Sequence, residues 1–218
     1  VDSNGNVFVT DSMNHTIRKI TSLGTVTTLA GSVGNVGDRD GTGSGARFAW
    51  PYAVELDVDD KTLYVSDPNN YAVRKITAGG TVTTLAGSKG QQGYIDGTGN
   101  SALFGGPGRI DLDDSGNLYV SDSTNNAIRK ITPAGVVTTI VGPPRSSHNP
   151  GYSTRFYFPG GLCLDDAGNV YLADTENHCI RKITPEGTVT TLAGKTGVGG
   201  TADGTASNAR FFKPRDVA

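Results

Sequence analysis

Charge of one sign, long apolar runs, cysteine pairs and helical periodicity are all scarce in this chain. Its 19 Lys and Arg stand against 21 Asp and Glu, a net charge of -2. That balance argues against a nucleic-acid protein working through bulk electrostatics, and nucleic acid is not an expected partner. No apolar run approaches the roughly 20 residues of a membrane helix, so no membrane insertion is expected. The two cysteines, Cys163 and Cys179, fall in one stretch on strands that a third strand should separate. With strands about 4.8 Å apart, their Cα atoms would lie roughly 10 Å apart, beyond disulfide reach, and both read as reduced core thiols. The sequence opens at Val1 and shows no signal-peptide pattern, which reads as a mature or excised segment.

What the chain does contain is repetition. Asp11-Ser-Met-Asn14-His-Thr-Ile17-Arg18-Lys19-Ile20, followed by Thr25 to Gly31, returns at Asp67, Asp122 and Asp174, spaced 56, 55 and 52 residues apart. Self-similarity at that period marks a repeat architecture in which each unit buries a face against its neighbour. Each unit reads as four short strands. In the second, Tyr52–Asp57, Thr62–Asp67, Val73–Thr77 and Thr81–Ala86 alternate apolar and polar residues, with a Gly79-Gly80 turn before the last. Four-stranded sheets repeated around an axis make an all-β propeller, which handles exposed strand edges by radial repetition.

Three units open their first strand through Pro51, Pro107 or Pro159, and Pro214-Arg-Asp-Val-Ala218 begins a fourth such strand that Val1-Asp2 would continue. The expected organisation is one domain, 1–218, with units near 1–50, 51–106, 107–158 and 159–212, and 213–218 completing the first blade. A closed four-blade ring and four consecutive blades of a larger ring both fit.

The pattern Pro-x-x-[Val/Ile/Leu]-x-[Val/Leu]-Asp, then Gly-Asn-[Val/Leu]-[Tyr/Phe]-Val-x-Asp-x-x-Asn-x-x-Ile-Arg-Lys-Ile, resembles the NHL repeat over nearly the whole chain. Gly5-Asn6, Gly116-Asn117 and Gly168-Asn169 carry it, and the second unit departs with Asp60-Lys61. NHL propellers commonly have six blades. The resemblance implies protein or RNA docking on one face, adhesion and extracellular scaffolding, or, in a minority, metal-dependent lyase or hydrolase-like chemistry.

Residues present once per unit read as scaffold. Asp11, Asp67, Asp122 and Asp174, with Asn14, Asn70, Asn125 and Asn177, suit side chains that bond backbone amides in a turn. Arg18, Arg74, Arg129 and Arg181 suit a role between blades. Long connections of 19, 19, 16 and 19 residues carry Asp-Gly-Thr at Asp40, Asp96 and Asp203, and Phe48, Phe104, Phe156 and Phe211 stand three residues before each opening proline. Those rings should tuck between blades. Asp38-Arg-Asp40-Gly41 lacks the full calcium-loop pattern and reads as a capped turn.

A site should break the symmetry. Glu55 and Asp111 occupy one inner-strand position and would line a channel, or bond backbone groups of neighbouring blades. His15, His148 and His178 should share a face and are the only metal-ligand candidates, although His15 and His178 hold the same position of different units. Trp50, Tyr52, Tyr94, Tyr152, Tyr157, Lys213 and Arg215 form a varied collection on that face, of the residue types that anchor interfaces. Asn14-His-Thr16 is a glycosylation sequon, relevant if the protein is secreted.

The resulting expectation is a non-catalytic binding or structural module without a cofactor. A propeller face would contact protein, through a partner or self-assembly, or a glycan, within an extracellular or cell-surface assembly. The alternatives are a metal-dependent lyase or hydrolase-like enzyme with a top-face site, and an RNA-docking domain.

Overall fold

A computed structural model describes residues 1–57, 61–142 and 155–218. They are all-β: four antiparallel sheets, with one-turn 3-10 segments as the only helical pieces among the described residues. The first sheet has three strands, Val7–Asp11, Thr16–Ile20 and Val26–Gly31. The second runs Val54–Leu56, Thr62–Asp67, Ala72–Thr77, Thr81–Ala86. The third runs Pro107–Leu112, Leu118–Asp122, Ala127–Ile131, Val136–Val141, and the fourth Pro159–Leu164, Val170–Asp174, Cys179–Ile183, Val189–Gly194. Consecutive strands pair in order, as half-buried β-branched alternation requires.

Two sheets gain a fifth strand that periodicity alone did not reveal. Gly41–Thr42 pairs with Val82 and Thr81, and Gly97–Thr98 with Val137 and Val136. The Asp-Gly-Thr turns of the long connections are thus edge straps: each lies along the outer strand of the sheet that follows it and covers backbone groups that would otherwise stand open.

The chain divides into two compact units, residues 1–108 with 131–137, and 109–130 with 138–218. In the first, Ile17, Ala30 and Phe48 pack against Leu63, Val65, Ile76 and Val82. In the second, Tyr119, Ile128 and Phe156 pack against Leu162, Val170, Leu172 and Ile183. Phe48, fully buried, and Phe156, nearly so, do tuck into these joints, and Phe104 is fully buried as well. Burying such a ring contributes roughly 2–3 kcal/mol. Phe211 is only half-buried.

A buried ion pair ties the second strand to the third in the second, third and fourth sheets. Arg74 Nη1 lies 2.9 Å from Asp67 Oδ2, Arg129 Nη1 3.0 Å from Asp122 and Arg181 Nε 2.9 Å from Asp174, all with fully buried side chains. Asp67 Oδ1 also accepts from the Ala49 amide at 2.8 Å and Oδ2 from Asn70 at 2.7 Å. Asp174 repeats this with the Tyr157 amide and Asn177. Asp67 and Asp174 therefore do bond backbone amides, and they hold an arginine as well. Arg74 continues to the Arg47 carbonyl and to Asp40 Oδ1 at 2.7 Å, and its guanidinium stands 5.3 Å over the Phe48 ring.

Both cysteines are free. Burial pushes the Cys179 thiol up to about 11, against the pull of Arg181. Burial also raises Cys163, with the Asp111, Asp216 and Asp165 carboxylates adding to it. A disulfide-exchange reagent at about pH 8 should leave Cys179 unmodified in the folded chain and label it once denaturant unfolds it, since only the thiolate reacts. Labelling of both thiols at the unfolded rate under native conditions would contradict this burial.

Candidate functional site

A 3-10 turn ending in a left-handed residue joins the first two strands of the first sheet and the second and third strands of the others: His15, Tyr71, Asn126 and His178, at φ 53 to 57°. The residue before the opening proline is left-handed too, at Trp50, Phe158 and Lys213, with φ 61, 52 and 52°. One bond ties these two unusual positions together. His15 Nδ1 accepts from the Trp50 amide at 3.2 Å, Asn126 Oδ1 from the Phe158 amide at 2.7 Å, and His178 Nδ1 from the Lys213 amide at 3.1 Å. His15 is buried beside the edge of Trp50, and His178 stacks on Phe212 with ring centroids 5.3 Å apart.

This latch settles what the two histidines do in the fold. With Nδ1 an acceptor, each ring carries its proton on Nε2. The sequence offered no sign of it, because the partner amide lies 35 residues away and the third copy of the role is an asparagine. His148 and Tyr152 lie outside the described residues. Among the described residues no three His, Cys, Asp or Glu side chains converge as metal ligands. His178→Asn should keep the latch, as Asn126 does, and tolerate φ 57°, whereas His178→Ala should cost about 1–2 kcal/mol. Thermal unfolding of the two variants tests it; equal losses would mean the bond is idle.

The remaining candidates separate into satisfied and displayed groups. Asp40 accepts from Arg74, from Thr84 Oγ1 at 3.0 Å and from Lys89 at 3.3 Å, so the Asp38–Gly41 loop spends its carboxylate on the scaffold. Asp111 receives the Leu112 amide at 2.9 Å and the Leu164 amide, from the next sheet, at 2.7 Å, while partial burial raises its pKa. It bonds backbone, as one of its two readings held. Glu55 is half-buried in the second sheet. Asn14 is exposed, but its side-chain nitrogen lies 3.0 Å from both Asp11 oxygens, the counterpart of Asn70 on Asp67.

Among the aromatics, Trp50 and Tyr52 are 46% and 50% exposed, whereas Tyr94 and Tyr157 are half-buried. Lys213 is exposed and reaches Glu176 at 2.9 Å; Arg215 is exposed and its carbonyl accepts the Gly161 amide. Two rings passed over in sequence are more open still: Phe158, 53% exposed, and Phe212, 69% exposed. Phe158 stands where Trp50 stands, directly before the opening proline, and that equivalence was the available signal.

The family model for the NHL repeat matches residues 156–183. The bovine NHL repeat-containing protein 2 is 33% identical over 156 residues, covering 65% of this chain and 22% of its own length. These two findings support an NHL-repeat family for the chain. A second relative, Protein SUPPRESSOR OF QUENCHING 1, chloroplastic, from Arabidopsis thaliana, is 28% identical over 230 residues, or 97% of this chain and 22% of its own. This chain thus spans about a fifth of the length of these relatives. Among solved structures, virginiamycin B lyase from Staphylococcus aureus superposes at TM-score 0.61 with 19% identity, over 88% of this chain and 53% of the lyase. At that identity the likeness shows the β-propeller fold.

Proposed function

We propose that this NHL-repeat chain is a non-catalytic binding module that contacts protein through the residues displayed before its opening prolines. One observation carries the reading: at three of the four such positions one left-handed backbone geometry presents a different side chain. Trp50, Phe158 and Lys213 share a left-handed conformation pinned by the same latch, and Gly106 fills the position before Pro107. A scaffold that holds one backbone geometry and varies what it presents suits recognition, and exposed aromatics anchor interfaces. The groups that catalysis would need are meanwhile occupied: the aspartates by arginine and amides, two histidines by backbone N–H. The arginines of the repeated Arg-Lys pairs in the second to fourth units are fully buried, which leaves an RNA phosphate little to meet. An extracellular or surface setting, with a protein rather than a glycan as partner, belongs to the same proposal.

Trp50 is the single tryptophan, so its emission reports directly on its own surroundings. A peptide library selected on the chain should yield binders that shift Trp50 emission and weaken at least about tenfold on Trp50→Ala, and others that weaken as much on Phe158→Ala, with unfolding midpoints unchanged. Binders indifferent to both substitutions would sink the reading.

A further inference from the structure

The three latches are alike in form and different in chemistry. Asn126 Oδ1 is an amide oxygen that keeps its lone pairs at any ordinary pH, whereas Nδ1 of His15 and of His178 accepts only while its ring is neutral. A proton taken up at Nδ1 consumes the lone pair, makes both ring nitrogens donors and points N–H at N–H. At His15 the ring has little room to relieve that conflict. It is 7% exposed, so an imidazolium held there is largely out of water.

The residues on either side of Trp50 are tied down independently of the latch. The Ala49 amide donates to Asp67 Oδ1 at 2.8 Å, the Tyr52 amide to the Ser66 carbonyl at 3.0 Å, and the Pro51 carbonyl accepts from Ser12 Oγ at 2.6 Å. Between them the Trp50 amide goes to His15 Nδ1, and the residue stands at φ 61°, a conformation that is costly for any residue with a Cβ. Losing that one bond frees one residue and leaves its flanks in place. The carboxylates on the elements packed there are engaged or lie in solvent. Asp11 is bonded to Arg18, and Asp40 and Asp67 are bonded to Arg74, while Asp38 is exposed. Lys19, Arg39 and Arg47 add positive charge on the same elements.

We propose that the His15–Trp50 latch is a pH switch: acid opens it and lets the displayed tryptophan leave its left-handed conformation. The bond is present above the range in which imidazoles titrate, about pH 6.5, and is lost as pH falls through that range. His178 and the Lys213 amide repeat the device, whereas Asn126 and the Phe158 amide form a latch that acid leaves closed. Release of a partner held on Trp50 follows on acidification, a consequence that rests on the binding role proposed above.

Amide hydrogen exchange followed by NMR tests the switch without any partner. Protection of the Trp50 amide, measured against an unstructured peptide at the same pH, should fall at least about tenfold between about pH 8 and about pH 5, while that of the Phe158 amide holds within about twofold. His15→Asn keeps an acceptor and tolerates the left-handed turn, so it should abolish the fall at Trp50; Asn126→His should transfer the fall to Phe158. Circular dichroism confirms that each variant is folded. Unchanged Trp50 protection across that range would overturn the proposal. So would a fall that His15→Asn leaves in place, since acid would then act through another group, or a fall shared equally by Phe158, which would mean general loosening. Peptides selected on Trp50 at neutral pH should weaken at least about tenfold at about pH 5 on the parent chain and hold on His15→Asn. If the exchange response is present and no Trp50-dependent peptide can be selected, the switch stands and the binding role fails.

Discussion

Arg74→Met should destabilise the chain by about 3–5 kcal/mol, because it strands the Asp67 carboxylate in a fully buried site. Burial already raises Asp67, opposed by Arg74, Asn70 and the Ala49 amide. Removing the guanidinium lets desolvation act with less opposition, so the folded pKa climbs further above that of the unfolded chain. The sign follows: a raised carboxylate binds its proton more tightly when folded, so the deficit of Arg74→Met shrinks as pH falls through the raised folded value toward the ordinary aspartate range near about 3.9. Denaturant titrations at neutral and acid pH measure this. Arg74→Met combined with Asp67→Leu should recover much of the loss, since an apolar pair carries no stranded charge. If Arg74→Met costs under about 1 kcal/mol at neutral pH, the buried pair does not hold the joint.

Gly87→Ala should be nearly as damaging, at least about 3 kcal/mol. Gly87 sits at φ +100°, and a Cβ there would stand 2.3 Å from the Tyr71 carbonyl and 2.8 Å from Ala72 Cα, both rigid backbone, with the Phe104 ring at 3.2 Å. Gly90→Ala provides the control. That residue is also left-handed, at φ +75°, but has open space where the Cβ would go, so only the conformational cost of about 1–2 kcal/mol applies. Thermal unfolding of the pair separates close packing from backbone preference. Equal losses would show that contact with the Tyr71 turn is not what demands glycine.

The candidate site was less legible than the scaffold for a definable reason. Periodicity reports which residues share a face, and it marked Phe48, Phe104 and Phe156 as joint fillers and the repeated aspartates as turn residues. It cannot report a bond across 35 residues between two left-handed positions, so His15 and His178 read as metal candidates when their Nδ1 atoms hold backbone amides. Nor did it see that Phe158, apolar and next to a proline, is displayed on the surface while Tyr157 beside it is half-buried.

The positions of the repeated strands, the sheet count and the propeller fold follow from the sequence by itself, because alternating β-branched residues, Gly turns and a fixed repeat period constrain local backbone directly. Tertiary structure decided the rest. Whether a carboxylate is a ligand or a brace depends on what packs beside it: Asp67 is a brace because Arg74, Asn70 and the Ala49 amide converge there, out of water. The same holds for Val9 and Val65, alike in the repeat and opposite in exposure, since burial belongs to the neighbour a residue meets and not to the residue itself.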